Sequence, residues 1–171
     1  MLEKYKVIPV VVLHNEREAQ MQLSALCEGG LPVAEITFRT DYAEEGIKYA
    51  IKNYPDMYIG AGTVINSQQA ERAIKAGAKF IVSPGLSESV AKVCKEYGIS
   101  YLPGCVTPTE IMKALELGIT TIKFFPANVY GEDNALRAFK PPYTFAGKNF
   151  IVVIPSSKAF IISVGVTQPG K

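Results

Sequence analysis

Tyr58-Ile59-Gly60-Ala61-Gly62-Thr63-Val64, then an amphipathic stretch over 67–76 closed by Gly77, then Phe80-Ile81-Val82-Ser83, is the part of the sequence that decides the fold class. An apolar run of strand length is followed by a run with helical spacing, by a glycine, and by a second apolar run. Strands joined through a helix in this way are parallel, and the crossover between them is right-handed. The unit recurs on both sides. Strand candidates lie at 7–13, 33–39, 58–64, 80–83, 101–106 and 120–125, and helical patterns at 16–28, 42–53, 67–76, 87–97, 109–117 and 132–139. Gly29-Gly30, Gly77, Gly98 and Gly118 stand where a helix ends in a left-handed turn. Ser67, Ser87 and Thr107 stand where a side-chain oxygen would satisfy the first free amides of the next helix.

Strict alternation leaves two architectures, a doubly wound open sheet and a TIM-type (β/α) barrel. Gly60-Ala61-Gly62 is no dinucleotide fingerprint, because a third glycine and a following acidic partner are missing. The second strand candidate bears on the choice. In Val33-Ala34-Glu35-Ile36-Thr37-Phe38-Arg39, alternation puts Val33, Glu35, Thr37 and Arg39 on one face and Ala34, Ile36 and Phe38 on the other. In a barrel the apolar set packs under helices and the polar set points inward. An unpaired carboxylate or guanidinium there is costly, so an interior Glu35 and Arg39 must be paired or employed. A buried Glu–Arg pair, or an edge strand with a wet face, accounts for the same pattern.

The chain has 171 residues, enough for one domain but short for an eight-unit barrel, which takes about 200 to 250. Six regular βα units fill residues 1–139. After Asp133 no Asp or Glu occurs, whereas Arg137, Lys140, Lys148, Lys158 and Lys171 do, and Pro141-Pro142 stops any helix. Two apolar runs follow at 149–154 and 160–166, too close in sequence for a parallel crossover. The tail, 140–171, is therefore expected to be a β-hairpin in the same domain, leaving an incomplete or irregularly closed barrel. Its loss of acidic residues and of β-α rhythm motivates one hypothesis, a reading-frame change or natural truncation.

Hydrophobic residues make up 48% of the chain and charged residues 20%, an ordinary globular mix, and a net charge of +2 gives no footing for nucleic acid. Cys27, Cys94 and Cys105 lack metal-ligand spacing, and the only histidine is His14; no metal is expected, and three free thiols fit a reducing compartment. These four residues read as loop or core positions. The apolar stretch at 7–13 is too short to span a membrane and lacks a leader's cleavage site, so a cytoplasmic protein is expected.

Thr121-Ile122-Lys123-Phe124-Phe125-Pro126 holds the sharpest chemical signal. A lysine in such a run either snorkels to solvent at the strand end or faces the interior. In the interior, desolvation favours its neutral form, an amine able to attack a carbonyl. Lys123 and Glu35 both stand near C-terminal strand ends, where barrel active sites form. Thr63 would bring a hydroxyl to the same mouth. Ser83-Pro84-Gly85 and Pro103-Gly104 also end strands; Gly85 and Gly104 read as turn residues.

Five segments in this order resemble the family of 2-keto-3-deoxy-6-phosphogluconate aldolase and 4-hydroxy-2-oxoglutarate aldolase. They are Val7-Ile8-Pro9-Val10, Glu35-Ile36-Thr37-Phe38-Arg39-Thr40, Gly60-Ala61-Gly62-Thr63-Val64, Ser83-Pro84-Gly85 and Lys123-Phe124-Phe125-Pro126-Ala127, and the likeness covers residues 7–139. The resemblance implies a trimeric β/α barrel that needs no metal or organic cofactor. It implies a small keto-acid substrate, of the phosphogluconate type or the oxoglutarate type, cleaved to pyruvate and an aldehyde. Lys123 takes the place of the Schiff-base lysine and Glu35 that of the acid/base glutamate. Arg39 and Thr63 match substrate-binding positions, and Pro84 and Phe125 shape the pocket wall. The family's Thr-Gly-Gly and Gly-Gly-Ser segments, which hold substrate phosphate, do not occur after Phe139. A second expectation follows, a non-catalytic or impaired remnant whose catalytic pair is not held in place. A phosphosugar epimerase is disfavoured by the lack of a metal-binding set and of a C-terminal Gly-Gly loop.

Overall fold

The computed structural model describes residues 2, 5, 7–131, 134, 135, 138, 151–155 and 159–163, with the backbone alone at 128, 151–155 and 159–163. Five strand–helix units come first: β1 (Val7–Val11), α1 (Glu16–Glu28), β2 (Val33–Thr37), α2 (Ala43–Asn53), β3 (Tyr58–Gly62), α3 (Ser67–Lys75), β4 (Phe80–Val82), α4 (Glu88–Glu96), β5 (Ser100–Leu102) and α5 (Pro108–Glu116). Then come β6 (Thr121–Lys123), a short 3-10 helix (Ala127–Val129), β7 (Ile151–Pro155) and β8 (Ala159–Ser163). The helix expected over 132–139 lies almost wholly outside the described residues. No described helix is long and apolar enough to cross a membrane.

Local chemistry explains the helix boundaries. Ser87 and Thr107 cap α4 and α5 as expected, and Thr107 forms a reciprocal capping box with Glu110. At α3 the cap is Asn66, whose side chain accepts from the Gln69 amide at 2.8 Å, and Ser67 is already helical. Asn caps as well as Ser, so the motif slides by one residue without cost. Gly77 and Gly98 end α3 and α4 with φ of 108° and 66°, where a side chain would be strained.

The strand order is β5-β4-β3-β2-β1-β8-β7-β6. Strands β1 to β5 pair in parallel, as do β6 and β7. The hairpin forms as expected, β7 antiparallel to β8. It is inserted into the sheet, β8 pairing antiparallel with β1. The sheet's two end strands meet at one parallel bridge between Gly104 and Lys123. This is a barrel-type arrangement of five βα units, a sixth strand and the hairpin that stops short of a continuous closed ladder.

Among the described residues, alternation sets an inner apolar cluster apart from those packed under the helices. Ile8, Val33, Phe80, Val82 and Leu102 pack together inside the sheet's curve, with Tyr58 stacked on Phe80 at 5.5 Å between ring centroids. Gly60 is bare because a Cβ there would overlap the Phe80 ring. Ala34, Ile36, Ile59, Ala61 and Ile81 face outward against helix residues Leu23, Ile47, Ala70, Ala73 and Val90. The inner apolar core fills the barrel below β2's polar residues, which gives the site a dry floor.

Candidate active site

The face carrying Val33 and Glu35 turns inward, away from Ala34 and Ile36. Glu35 is 1% exposed and Lys123 is 7% exposed. Register sets Glu35 between Val10 of β1 and Gly60 of β3. Its carboxylate lies over Gly62, where a Cβ would overlap it. Sequence reasoning missed that role for Gly62. The available signal was a glycine paired with Thr37, two residues beyond a buried glutamate on the neighbouring strand. Among the described residues Glu35 Oε2 has no hydrogen-bond partner. A buried carboxylate oxygen left in that state is expensive to keep unless a ligand or proton uses it.

Desolvation pushes the Glu35 carboxyl up to about 7, although the positive charges of Lys123 and Arg39 pull it down. Desolvation likewise lowers the Lys123 amine, with Arg39 adding to the effect and Glu35 opposing it. Each group favours the charged form of the other, and burial outweighs that favour in both. Lys123 Nζ stands 4.8 Å from the centre of the Phe125 ring, so Phe125 forms a wall beside the amine. The lysine faces the interior rather than snorkelling.

Arg39 departs from expectation. It is exposed, not interior, because β2 ends at Thr37 and the chain leaves the ladder before Arg39. Its Nε donates to the Thr63 hydroxyl at 3.1 Å. Thr63 lies just past β3 with φ of 56°, a left-handed conformation costly for a β-branched residue. That turn brings its hydroxyl to Arg39. Pro84 is exposed beyond the end of β4.

Gly85 lies in the bend after β4, whereas Gly104 departs from its turn reading and sits in a bridge to Lys123. Neither has positive φ. Gly85 has open space around it, whereas a Cβ on Gly104 would overlap the carbonyl of Pro84. His14 and the cysteines match their reading: His14 is exposed beside Glu18, Cys94 and Cys105 are buried thiols, and Cys27 is half-buried.

A buried amine and a buried carboxyl, each driven toward its neutral form, with a guanidinium at the mouth, suit covalent attack on a keto acid. The comparisons bear on this. Residues 1–156 match the family model for KDPG and KHG aldolase. The chain belongs to that family. The 2-dehydro-3-deoxy-phosphogluconate aldolase of Treponema pallidum is 43% identical over 143 residues, 84% of this chain and 68% of the relative. A Zymomonas mobilis 2-keto-3-deoxy-6-phosphogluconate aldolase, solved with 3-phosphoglycerate, aligns with a TM-score of 0.77 at 35% identity, over 88% of this chain and 70% of that one. A Legionella pneumophila KDPG aldolase, solved with pyruvate captured as a covalent carbinolamine intermediate, also gives 0.77 at 35% identity, over 84% of this chain and 68% of that one. This chain thus spans a little over two thirds of these relatives' length. Family membership removes the doubly wound sheet and the epimerase from consideration.

Proposed function

We propose that this chain is a Schiff-base-forming aldehyde-lyase, with Lys123 as nucleophile and Glu35 as acid and base. Its substrate is a 2-keto-3-deoxy-6-phosphogluconate-type or 4-hydroxy-2-oxoglutarate-type acid, cleaved to pyruvate and an aldehyde. The observation that carries the reading is the burial of both groups in one barrel interior, where desolvation favours a neutral amine and a protonated carboxyl.

The neutral Lys123 amine attacks the keto carbon, and Glu35 gives a proton to the oxygen that becomes the carbinolamine hydroxyl. Loss of water leaves a protonated imine and a Glu35 carboxylate. That carboxylate accepts the proton of the substrate's C4 hydroxyl as the C3–C4 bond breaks. The electron pair passes to the imine as an enamine, and an aldehyde departs. Protonation at C3 and hydrolysis then release pyruvate and restore the amine. A carboxyl titrating near neutrality serves both directions of transfer, since donor and acceptor forms are both populated. Arg39 holds the substrate carboxylate through its two terminal nitrogens while Nε stays on Thr63. Pro84 and Phe125 bound the pocket. None of these steps uses a metal or an organic cofactor.

The family resemblance supports a homo-oligomer, a trimer, and three unpaired thiols support a cytoplasmic setting. Residues 1–139 are taken as the barrel units and 140–171 as a tail of the same domain. The test is trapping: incubate the protein with pyruvate and borohydride and locate the adduct by mass spectrometry. A stable adduct on Lys123, lost in Lys123→Met, is the expected result. A folded protein with no adduct, or with label spread over surface lysines, would refute the assignment and favour the impaired remnant.

A further inference from the structure

We infer that Gly104 is a positioning residue for Lys123: its missing side chain lets one backbone segment hold both the nucleophile's strand and the Pro84 turn. The inference rests on the proposed role of Lys123.

Strands β5 and β6 are the two ends of the strand order, and a parallel bridge joins Lys123 of β6 to Gly104, two residues past β5. Two hydrogen bonds make that bridge. The Lys123 amide donates to the Pro103 carbonyl at 2.8 Å, and the Cys105 amide donates to the Lys123 carbonyl at 2.9 Å. Both backbone polar groups of Lys123 are thus bonded to the residues flanking Gly104. On the opposite side the Gly104 amide donates to the Ser83 carbonyl at 3.0 Å. Residues 103–105 are buried, so water does not compete for these bonds.

A Cβ on residue 104 would overlap the Pro84 carbonyl and come within 3.0 Å of the Gly85 amide nitrogen. These are backbone atoms, which do not swing aside as a side-chain tip would. The residue's φ lies outside the left-handed region, so turn geometry does not explain the glycine. Close approach does. An added methyl must push the 83–85 turn outward or push segment 103–105 toward β6. The first change moves the pocket wall, and the second moves the backbone that aims the amine.

The experiment compares Gly104→Ala with wild type and with Gly98→Ala, a helix-end control that has open space around it. The readouts are thermal unfolding, the rate of borohydride trapping on Lys123 under saturating pyruvate across pH, and kcat and KM separately. Gly104→Ala should slow trapping and lower kcat by about a hundredfold, the scale of a 1 Å misplacement of a reacting group. KM should change far less, because Arg39 and Thr63 are untouched. Gly98→Ala should lose stability without losing trapping rate. A folded Gly104→Ala that traps at the wild-type rate overturns the inference, as does an equal loss in Gly98→Ala. Should Gly104→Ala fail to fold, hydrogen exchange on the wild type decides. The Lys123 and Cys105 amides should exchange slowly and slow further with pyruvate, and exchange at loop rates sinks the inference. Wild type without any adduct on Lys123 is a separate result that ends the functional reading and this inference with it.

Discussion

Replacing Glu35 by glutamine isolates what it costs to keep a carboxylate inside the barrel. The group titrates near 7 rather than near 4.5, and desolvation is the largest cause. At about 1.36 kcal/mol for each tenfold change in proton affinity, the ionised side chain costs the folded state about 3 kcal/mol. The sign follows from linkage. A folded-state value above the unfolded one means the native protein binds that proton more tightly, so the proton's stabilisation is complete below about 4.5 and gone above about 7. Glu35→Gln keeps shape and neutrality at every pH. Its stability relative to wild type should therefore climb by about 3 kcal/mol across that window and then level off. Urea unfolding at matched protein concentration, in steps from about pH 4.5 to about pH 8, measures the difference directly. A difference that stays flat across the window would show that the carboxylate is well solvated or well paired in the folded state. The argument for a dry acid/base group would then fail.

Three further outcomes follow from the same site. In Lys123→Met, Glu35 loses a cation that holds its value down, so its titration, read by NMR or by the stability profile, should move to higher pH; no movement would show the two groups are not coupled. Gly62→Ala should destabilise by about 1 to 3 kcal/mol through overpacking and depress kcat, because the new methyl occupies the space of the Glu35 carboxylate. Unfolding and steady-state kinetics check it, and full activity would contradict the packing. Thr63→Gly relieves a left-handed φ of 56° but removes the acceptor for Arg39 Nε. Relief of strain should offset the roughly 1 kcal/mol of extra unfolded-state freedom that glycine brings, leaving the melting temperature nearly unchanged while KM for pyruvate rises; an unchanged KM would remove Thr63 and Arg39 from the binding role.

Five βα units and the sixth strand were legible because each element carries its own local signal. Apolar β-branched runs, helix-ending glycines and capping oxygens are readable within about ten residues. The inward aim of Glu35 was legible for the same reason, since parity along a strand is local arithmetic. What escaped depends on distant partners. Arg39 has the right parity, yet β2 leaves its ladder at Thr37, and a ladder's end is set by the strands on either side. Gly104 looks like a turn residue in sequence and Gly62 carries no local signal of its own; their reasons are a carbonyl after β4 and a carboxylate on β2. The tail's antiparallel hairpin follows from its short connection, but its insertion between β6 and β1 does not.

That insertion has a consequence for synthesis. Val7–Val11 shares one edge with a strand from the following unit and the other with Ala159–Ser163. Until the ribosome has delivered the latter, that edge of Val7–Val11 offers a bare row of amides and carbonyls to any neighbouring chain. Among the described strands this pairing is the longest in sequence separation. Crowding or slow elongation before residues 159–163 emerge exposes nascent chains to cross-pairing that the β1–β8 ladder forbids.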